Sequence, residues 1–206
     1  LLTTEPVTLH NLPAIGDVRI LLKMLAAMGV EVEDSALPTT HTVTLRAQNV
    51  HEQPDQGLGA LVRGSLLFAG PMLARTGHAL VGQPGGDAIG RRRADTHFLA
   101  LRALGATVDV HDDTYVMHAG KLRGTEIFLD EASVTGTEQA ILAAVLADGE
   151  TVIIHAACEP HVQDLCNLLN TLGARITGVC SDTLASAGLS SLPGGEHAPM
   201  SAHLEV

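Results

Sequence analysis

The sequence predicts an α/β (α+β-like) domain in which helices form the centre and sheets lie outside. Three observations predict this class: a short strand-like run recurs three times, a segment with helical spacing follows each run, and a glycine with a second strand follows each helix. The copies start about seventy residues apart, which is longer than the period of a solenoid. We therefore expect three repeated βα modules, with each sheet burying one face on the helices.

The first strand of each module is short and apolar, and a Gly or Pro break precedes it. The three runs are Val7–His10, Ala79–Val81 and Val152–His155. Short apolar runs bounded by turn residues are typical of buried strands. We expect one such strand to begin the visible pattern of each module.

Apolar residues at helical intervals then predict one helix per module, around 20–28, 98–104 and 165–172. Gly29, Gly105 and Gly173 follow these segments, where a left-handed residue commonly ends a helix. Second strands are predicted directly after them, at 30–32, 106–110 and 174–176. A further helix is expected at 65–73 in the second module and at 135–146 in the third, where Thr135 and Glu138 predict a capping box.

These patterns divide the chain into repeats of about 1–73, 74–145 and 146–182, which together form one domain. Residues 183–206 are rich in Ser, Ala and Gly, so we expect a linker or the start of a second domain there. The chain begins without methionine, and we expect it to be a piece of a longer protein.

Composition argues against several classes of function. The formal net charge is −11 and aromatic residues make up 2%, so we expect no nucleic-acid partner. No apolar run reaches the ~18 residues of a membrane helix. No signal peptide is visible, and three cysteines give no even-numbered disulfide framework, which favours the cytoplasm. The histidines show no metal-ligand spacing, so no metal site is expected.

One connection combines glycine, arginine and a single carboxylate. Asp87 lies among Gly82, Gly85, Gly86 and Gly90, and Arg91–Arg93 follow. Glycine allows the backbone to approach a ligand, and arginine binds phosphate or carboxylate with two hydrogen bonds. The corresponding connections of the other two modules are short and lack these residues, so the repeated architecture does not require them. We therefore interpret this connection as functional.

The stretch Pro84–Gly90, followed by Arg92, Asp95 and His97, resembles the active-site loop of the UDP-N-acetylglucosamine 1-carboxyvinyltransferase family. Supporting matches are Val62–Ser65, Gly70–Arg75, Ser133–Glu138 and Glu159–Asp164. The resemblance covers residues 1 to about 182. It implies one domain of a two-domain fold, in which each domain is assembled from three βαβαββ-type units.

The resemblance implies transfer of the enolpyruvyl group of phosphoenolpyruvate to the 3′-hydroxyl of UDP-N-acetylglucosamine, with release of phosphate. This is the first committed step of peptidoglycan biosynthesis, and it requires no cofactor. Addition of the hydroxyl to phosphoenolpyruvate precedes elimination of phosphate. The implied partners are these two substrates and a second domain of the same protein.

The resemblance also implies roles for particular residues. Asp87 stands where most members have cysteine, as general acid or as an aid to product release; an ordinary aspartate pKa of ~3.9 would have to rise for proton donation at neutral pH. The implied substrate-binding residues are Arg63, Arg92, Arg93, Ala94, Asp95, Thr96, Glu131, Ala132, Ser133 and Val134. Arg93 replaces a usual proline, and Glu131 replaces a usual lysine.

Two alternatives stay open at this point. One is the enolpyruvyl transferase that acts on shikimate 3-phosphate, and the other is a non-catalytic module that binds a nucleotide sugar. The Lys-Asn pair of the family falls before the position matched by Leu1, and the second domain is also missing. We therefore expect little or no turnover from this chain alone.

Overall fold

The structure is a computed structural model that describes residues 1–51, 56–85, 94–112, 114–187 and 200–203. Its strands are β1 (Val7–His10), β2 (Glu31–Glu33), β3 (Val43–Arg46), β4 (His78–Gly82), β5 (Thr107–His111), β6 (Thr114–His118), β7 (Glu126–Phe128), β8 (Glu150–Ile154), β9 (Arg175–Thr177), β10 (Thr183–Ala187) and β11 (Met200–His203). Its helices are α1 (Gly16–Ala27), α2 (Leu37–Thr40), α3 (Gln56–Gly59), α4 (Ala69–Thr76), α5 (Asp95–Ala103), α6 (Val134–Ala144) and α7 (Pro160–Thr171). A 3₁₀-helix, Arg63–Phe68, leads directly into α4.

The described strands form three sheets, in the orders β11-β1-β3-β2, β4-β6-β5 and β7-β8-β10-β9. The first and third sheets have the same arrangement. β1 pairs parallel with β11 and antiparallel with β3, as β8 pairs parallel with β7 and antiparallel with β10. The predicted α/β class with repeated βα modules is confirmed.

The third sheet differs from the predicted repeat boundaries. Its strands come from residues 126–187, so β7 and α6 belong with it although both begin before residue 146. β10 also belongs to it, although a linker or the start of a second domain was expected from residue 183. A three-residue strand such as β7 carries too little periodicity to be recognised in a sequence. The division of the chain into one domain and a following segment stays a prediction.

The predicted glycine ends of the three helices are present. Gly29, Gly105 and Gly173 follow α1, α5 and α7 with φ values of 88°, 101° and 102°. A side chain is strained at such angles, which is why glycine is preferred there. The predicted capping box at Thr135 is wrong, because Ser133 is the N-cap of α6 and its hydroxyl accepts a hydrogen bond from the Gly136 N–H at 3.2 Å.

Helix α6 lies at the centre of the core, where it contacts α4, α5 and α7. Seven of its eleven residues are buried, and most of these are small or apolar. A Cβ atom on Gly70 of α4 would lie 3.2 Å from the Ala143 nitrogen, so the backbones of α4 and α6 pack closely. Gln139 bridges the same helices, donating to the Leu66 carbonyl at 3.2 Å and accepting from the Gly70 N–H at 2.9 Å. This central packing fixes where α5 and α6 begin.

Candidate active site

The first turns of α5 and α6 lie side by side. His97 in α5 shares a hydrogen bond with Thr135 in α6, with 3.0 Å between Nε2 and Oγ1. A Cβ atom on Gly136 would lie 2.8 Å from Cγ2 of Thr96, so glycine is needed for the two helices to approach this closely. The N-termini of α5 and α6 therefore lie next to each other.

Thr96 joins α5 to the turn before α6. Its hydroxyl donates to the Asp130 carboxylate at 2.7 Å and lies 3.3 Å from Oε1 of Glu131. Thr96 is buried, so its hydroxyl bonds to these carboxylates and does not face solvent. Asp130 was not among the predicted site residues, because no local spacing links it to a threonine 34 positions earlier.

Arg63 brings a third element to this region. It begins the 3₁₀-helix and is half-buried. Burial of the His97 side chain, and then the positive charge of Arg63, lower the pKa of His97 to about 4. The imidazole is therefore neutral at physiological pH. His97 is only 1% exposed, and its Nδ1 atom has no hydrogen-bond partner within the described residues.

The glycine-rich connection starts against the same 3₁₀-helix. The Gly85 N–H donates to the Gly59 carbonyl at 3.5 Å, and a Cβ atom on Gly85 would lie 1.4 Å from the Ala60 oxygen. Ser65 holds this corner together, because its hydroxyl is 3.0 Å from the Gly59 carbonyl. The connection ends at Ala94, the half-buried N-cap of α5. Both ends of the connection are therefore fixed beside Arg63 and α5.

Some of the predicted site residues lie within the described part of the chain and others do not. Asp87, Arg92 and Arg93 lie outside the described residues. Arg63, Ala94, Asp95 and Thr96 are brought to one side of the core with the turn before α6. In that turn Glu131 and Ala132 are exposed, whereas Ser133 and Val134 are half-buried.

The arrangement is chemically suited to binding an anion. The first N–H groups of a helix carry no intrahelical partner, and aligned peptide dipoles make this end partly positive. Two such ends lie together here, and the guanidinium of Arg63 adds a full charge. The exposed carboxylates of Asp95 and Glu131 at the same place can accept hydrogen bonds from hydroxyl groups.

Among the described residues, no group of three or more His, Cys, Asp or Glu side chains could hold a metal ion. None of the described helices is long and apolar enough to cross a membrane.

The class of protein follows from this fold together with comparison to known sequences. The chain belongs to the EPSP synthase (3-phosphoshikimate 1-carboxyvinyltransferase) family, whose profile matches residues 1–199. Its fold resembles that of the enolpyruvyl transferase NikO from Streptomyces tendae, with a TM-score of 0.80 and 23% identity over 98% of this chain and 46% of the other. EPSP synthase from Acinetobacter baumannii gives a TM-score of 0.73 and 20% identity over 98% of this chain and 45% of the other.

Within this family, the chain is similar to proteins named UDP-N-acetylglucosamine 1-carboxyvinyltransferase. It is 51% identical to the one from Treponema pallidum over 94% of this chain and 45% of the relative. It is 49% identical to the Treponema denticola protein over 96% and 46%, and 46% identical to the Porphyromonas gingivalis protein over 100% and 48%. The chain thus spans about half the length of these relatives. The predicted resemblance is confirmed, and it favours this subgroup over the shikimate 3-phosphate alternative.

Proposed function

We propose that the intact protein transfers the enolpyruvyl group of phosphoenolpyruvate to the 3′-hydroxyl of UDP-N-acetylglucosamine. The observation that carries this proposal is identity of 46–51% to relatives of that name over almost the whole chain. The paired helix N-termini beside Arg63 support it, because both substrates carry phosphate groups. The reaction is the first committed step of peptidoglycan biosynthesis.

The transfer is an addition followed by an elimination. The 3′-oxygen bonds to C2 of phosphoenolpyruvate and loses its proton, while C3 gains a proton and becomes a methyl group. The bond from C2 to the phosphate oxygen then breaks, and C3 loses a proton to restore the double bond. Phosphate and the enolpyruvyl ether are the products, so no cofactor is consumed.

We assign the proton transfer to Asp87 and the contacts with anionic substrate groups to Arg63, Arg92 and Arg93. The extra arginine at position 93 adds charge where the family usually has proline. The backbone at Ala94, Ala132 and Val134 offers N–H groups near the two helix starts, whereas the Ser133 N–H donates to the Glu131 carbonyl at 2.8 Å. Asp95 and Glu131 accept from substrate hydroxyls, and Thr96 keeps α5 against the turn that carries Glu131.

The remaining half of the site is assigned to the second domain. The chain spans only about half of its relatives, so the partner groups that complete the site come from elsewhere in the intact protein. We place the reaction in the cytoplasm, where phosphoenolpyruvate and nucleotide sugars are made. Neither a nucleic acid nor a membrane takes part.

The deciding experiment measures phosphate released by the intact protein from phosphoenolpyruvate with each of two acceptors. We expect release with UDP-N-acetylglucosamine and none above background with shikimate 3-phosphate. Release with shikimate 3-phosphate alone would establish the other transferase. Binding of the nucleotide sugar without release from either acceptor would establish a non-catalytic module.

A matched pair of variants tests the binding site. Asp95 and Asp17 occupy the first turns of α5 and α1, and both are exposed. Asp95→Asn is expected to raise the KM for UDP-N-acetylglucosamine about tenfold, which corresponds to one lost charge-assisted hydrogen bond. Asp17→Asn is expected to leave it unchanged. Equal effects of the two variants would contradict the placement of the site at α5.

A further inference from the structure

Two histidines face each other on the second sheet. His78 begins β4 and His118 ends β6, and the two residues are direct partners in the antiparallel register. Both are exposed, and their Nδ1 atoms are 2.6 Å apart. The ring planes are nearly perpendicular at 83°, with 4.8 Å between ring centres. The imidazole nitrogens of two strands thus converge on one point at the surface.

The backbone on both sides of the pair is restrained. Just beyond it, the Ala119 N–H donates to the Gly77 carbonyl at 2.8 Å, and Gly77 adopts a φ of 76°. The Thr107 hydroxyl donates to the His118 carbonyl at 3.3 Å. The two Cα positions are consequently fixed, so the backbone loses little further freedom when the rings come together.

The third sheet shows that the fold does not require histidine at these positions. Strand β8 has the same alternation of exposed and buried residues as β4. Its first residue, Glu150, occupies the position of His78 and pairs with Ala187. The two histidines are therefore available for a role of their own.

Two neutral imidazole nitrogens at this separation need a positive centre between them, because facing lone pairs repel. Without a ligand, a proton on one Nδ1 meets that need. A divalent transition-metal ion meets it better, since neutral imidazole is a preferred ligand of Zn²⁺ and Cu²⁺. With metal–nitrogen distances of about 2.0–2.1 Å, the two nitrogens would lie roughly 3 Å apart, which a small ring rotation provides.

We propose that His78 and His118 form a surface site for Zn²⁺ or Cu²⁺. Two protein ligands leave the other coordination positions to water, so the ion exchanges readily and is not a structural metal. The net charge of −11 raises the local concentration of cations. The site is separate from the proposed active site, because the glycine-rich connection leaves β4 at its other end, after Gly82.

Sequence spacing did not indicate this site. The two ligands are 40 positions apart, and metal motifs are recognised by ligands that are close in sequence. Only the antiparallel register of β4 and β6 brings them together.

Isothermal titration of the intact protein with ZnCl₂, CuCl₂ and MgCl₂ tests the proposal. We expect Cu²⁺ to bind more tightly than Zn²⁺, following the general affinity order, and Mg²⁺ not to bind here because it prefers oxygen ligands. His78→Gln and His118→Gln are each expected to weaken binding at least tenfold. The double variant should be no worse than either single variant, since both rings are needed for one chelate.

His111→Gln is the matched control. His111 is exposed on the same sheet, but it faces Thr114 at the other end of β5 and β6. We expect its Cu²⁺ and Zn²⁺ affinities to equal those of the unmodified protein, and all variants to melt at the same temperature in EDTA. Unchanged affinity in both single variants of the pair, or an equal loss in His111→Gln, would overturn the proposal.

Discussion

Three connections join the first strand of a module to its following helix, and one of them differs from the other two. The connections β1 to α1 and β8 to α7 each contain five residues, 11–15 and 155–159. Both start with a left-handed residue, Asn11 at φ 57° and His155 at φ 61°. The connection from β4 to α5 contains twelve residues, 83–94. Five residues therefore suffice to close this junction, and the additional length serves something other than the fold.

The helices that follow these connections differ as well. The third residue of α1 is Val18, and that of α7 is Val162, which is buried. The third residue of α5 is His97, equally buried and hydrogen-bonded to Thr135. A core position that is apolar in two modules is thus polar in the module with the long connection. Within the described residues, the third helical position holds a buried polar side chain in α5 alone, beside the candidate active site.

The largest effect is expected at Asp87, in the long connection. Asp87→Ala in the intact protein should lower kcat by about 10²–10⁴-fold, which is the usual contribution of a positioned proton donor. Steady-state phosphate release measures it. Asp17→Ala at the short junction of the first module should leave kcat unchanged.

A thiol-directed inhibitor provides a second test of the residue at position 87. An epoxide that alkylates thiols should not inactivate the unmodified protein, because a carboxylate is a weaker nucleophile than a thiolate. Asp87→Cys should become sensitive to it. Mass spectrometry showing time-dependent labelling of Asp87 itself would contradict this interpretation.

His97 should make stability depend on pH. Its pKa is about 4 in the folded protein, whereas an unfolded histidine titrates near 6.5. Between these values the unfolded state binds more protons, so the free energy of unfolding falls as the pH decreases from 6.5 to 4, by up to about 3 kcal/mol. Urea unfolding at pH 7 and pH 5 measures the difference.

His97→Val copies the residue of the sister modules and provides the control. The variant should lose the His97 part of this pH dependence, because nothing titrates at that position. It also removes a buried nitrogen without a partner, so at pH 5 it should be more stable than the unmodified protein. An unchanged pH dependence in His97→Val would show that other groups cause it.

Features that depend on neighbouring residues could be predicted from the sequence. Gly29, Gly105 and Gly173 were identified as helix ends because each follows directly after a helical pattern. The strands β1, β4 and β8 were recognised because each is a short apolar run. The contacts of Thr96 with Asp130 and of His97 with Thr135 were not predicted. They join residues more than thirty positions apart and arise only when α5 and α6 pack together.

The start of α6 shows the limit of local rules. Both Ser133 and Thr135 are suitable N-cap residues, and the acid at Glu138 favoured Thr135. In the structure the helix begins at Val134 with Ser133 as its N-cap, and Thr135 shares a hydrogen bond with His97 instead. A tertiary contact thus decided between two acceptable local patterns.

The smallest expected effect is that of a substitution at Gly85, where the long connection begins. A Cβ atom on Gly85 would lie 1.4 Å from the backbone oxygen of Ala60, so Gly85→Ala must displace one of the two segments. We expect the free energy of unfolding to fall by about 1–3 kcal/mol, and the KM for UDP-N-acetylglucosamine to rise, because the connection that carries Asp87 moves. Gly16→Ala, at the end of the short first connection, meets nothing within 4 Å and should stabilise α1 by a few tenths of a kcal/mol. Urea unfolding and steady-state kinetics of both variants test whether the start of the long connection is tightly packed. If it were freely variable, Gly85→Ala and Gly16→Ala would have the same effect.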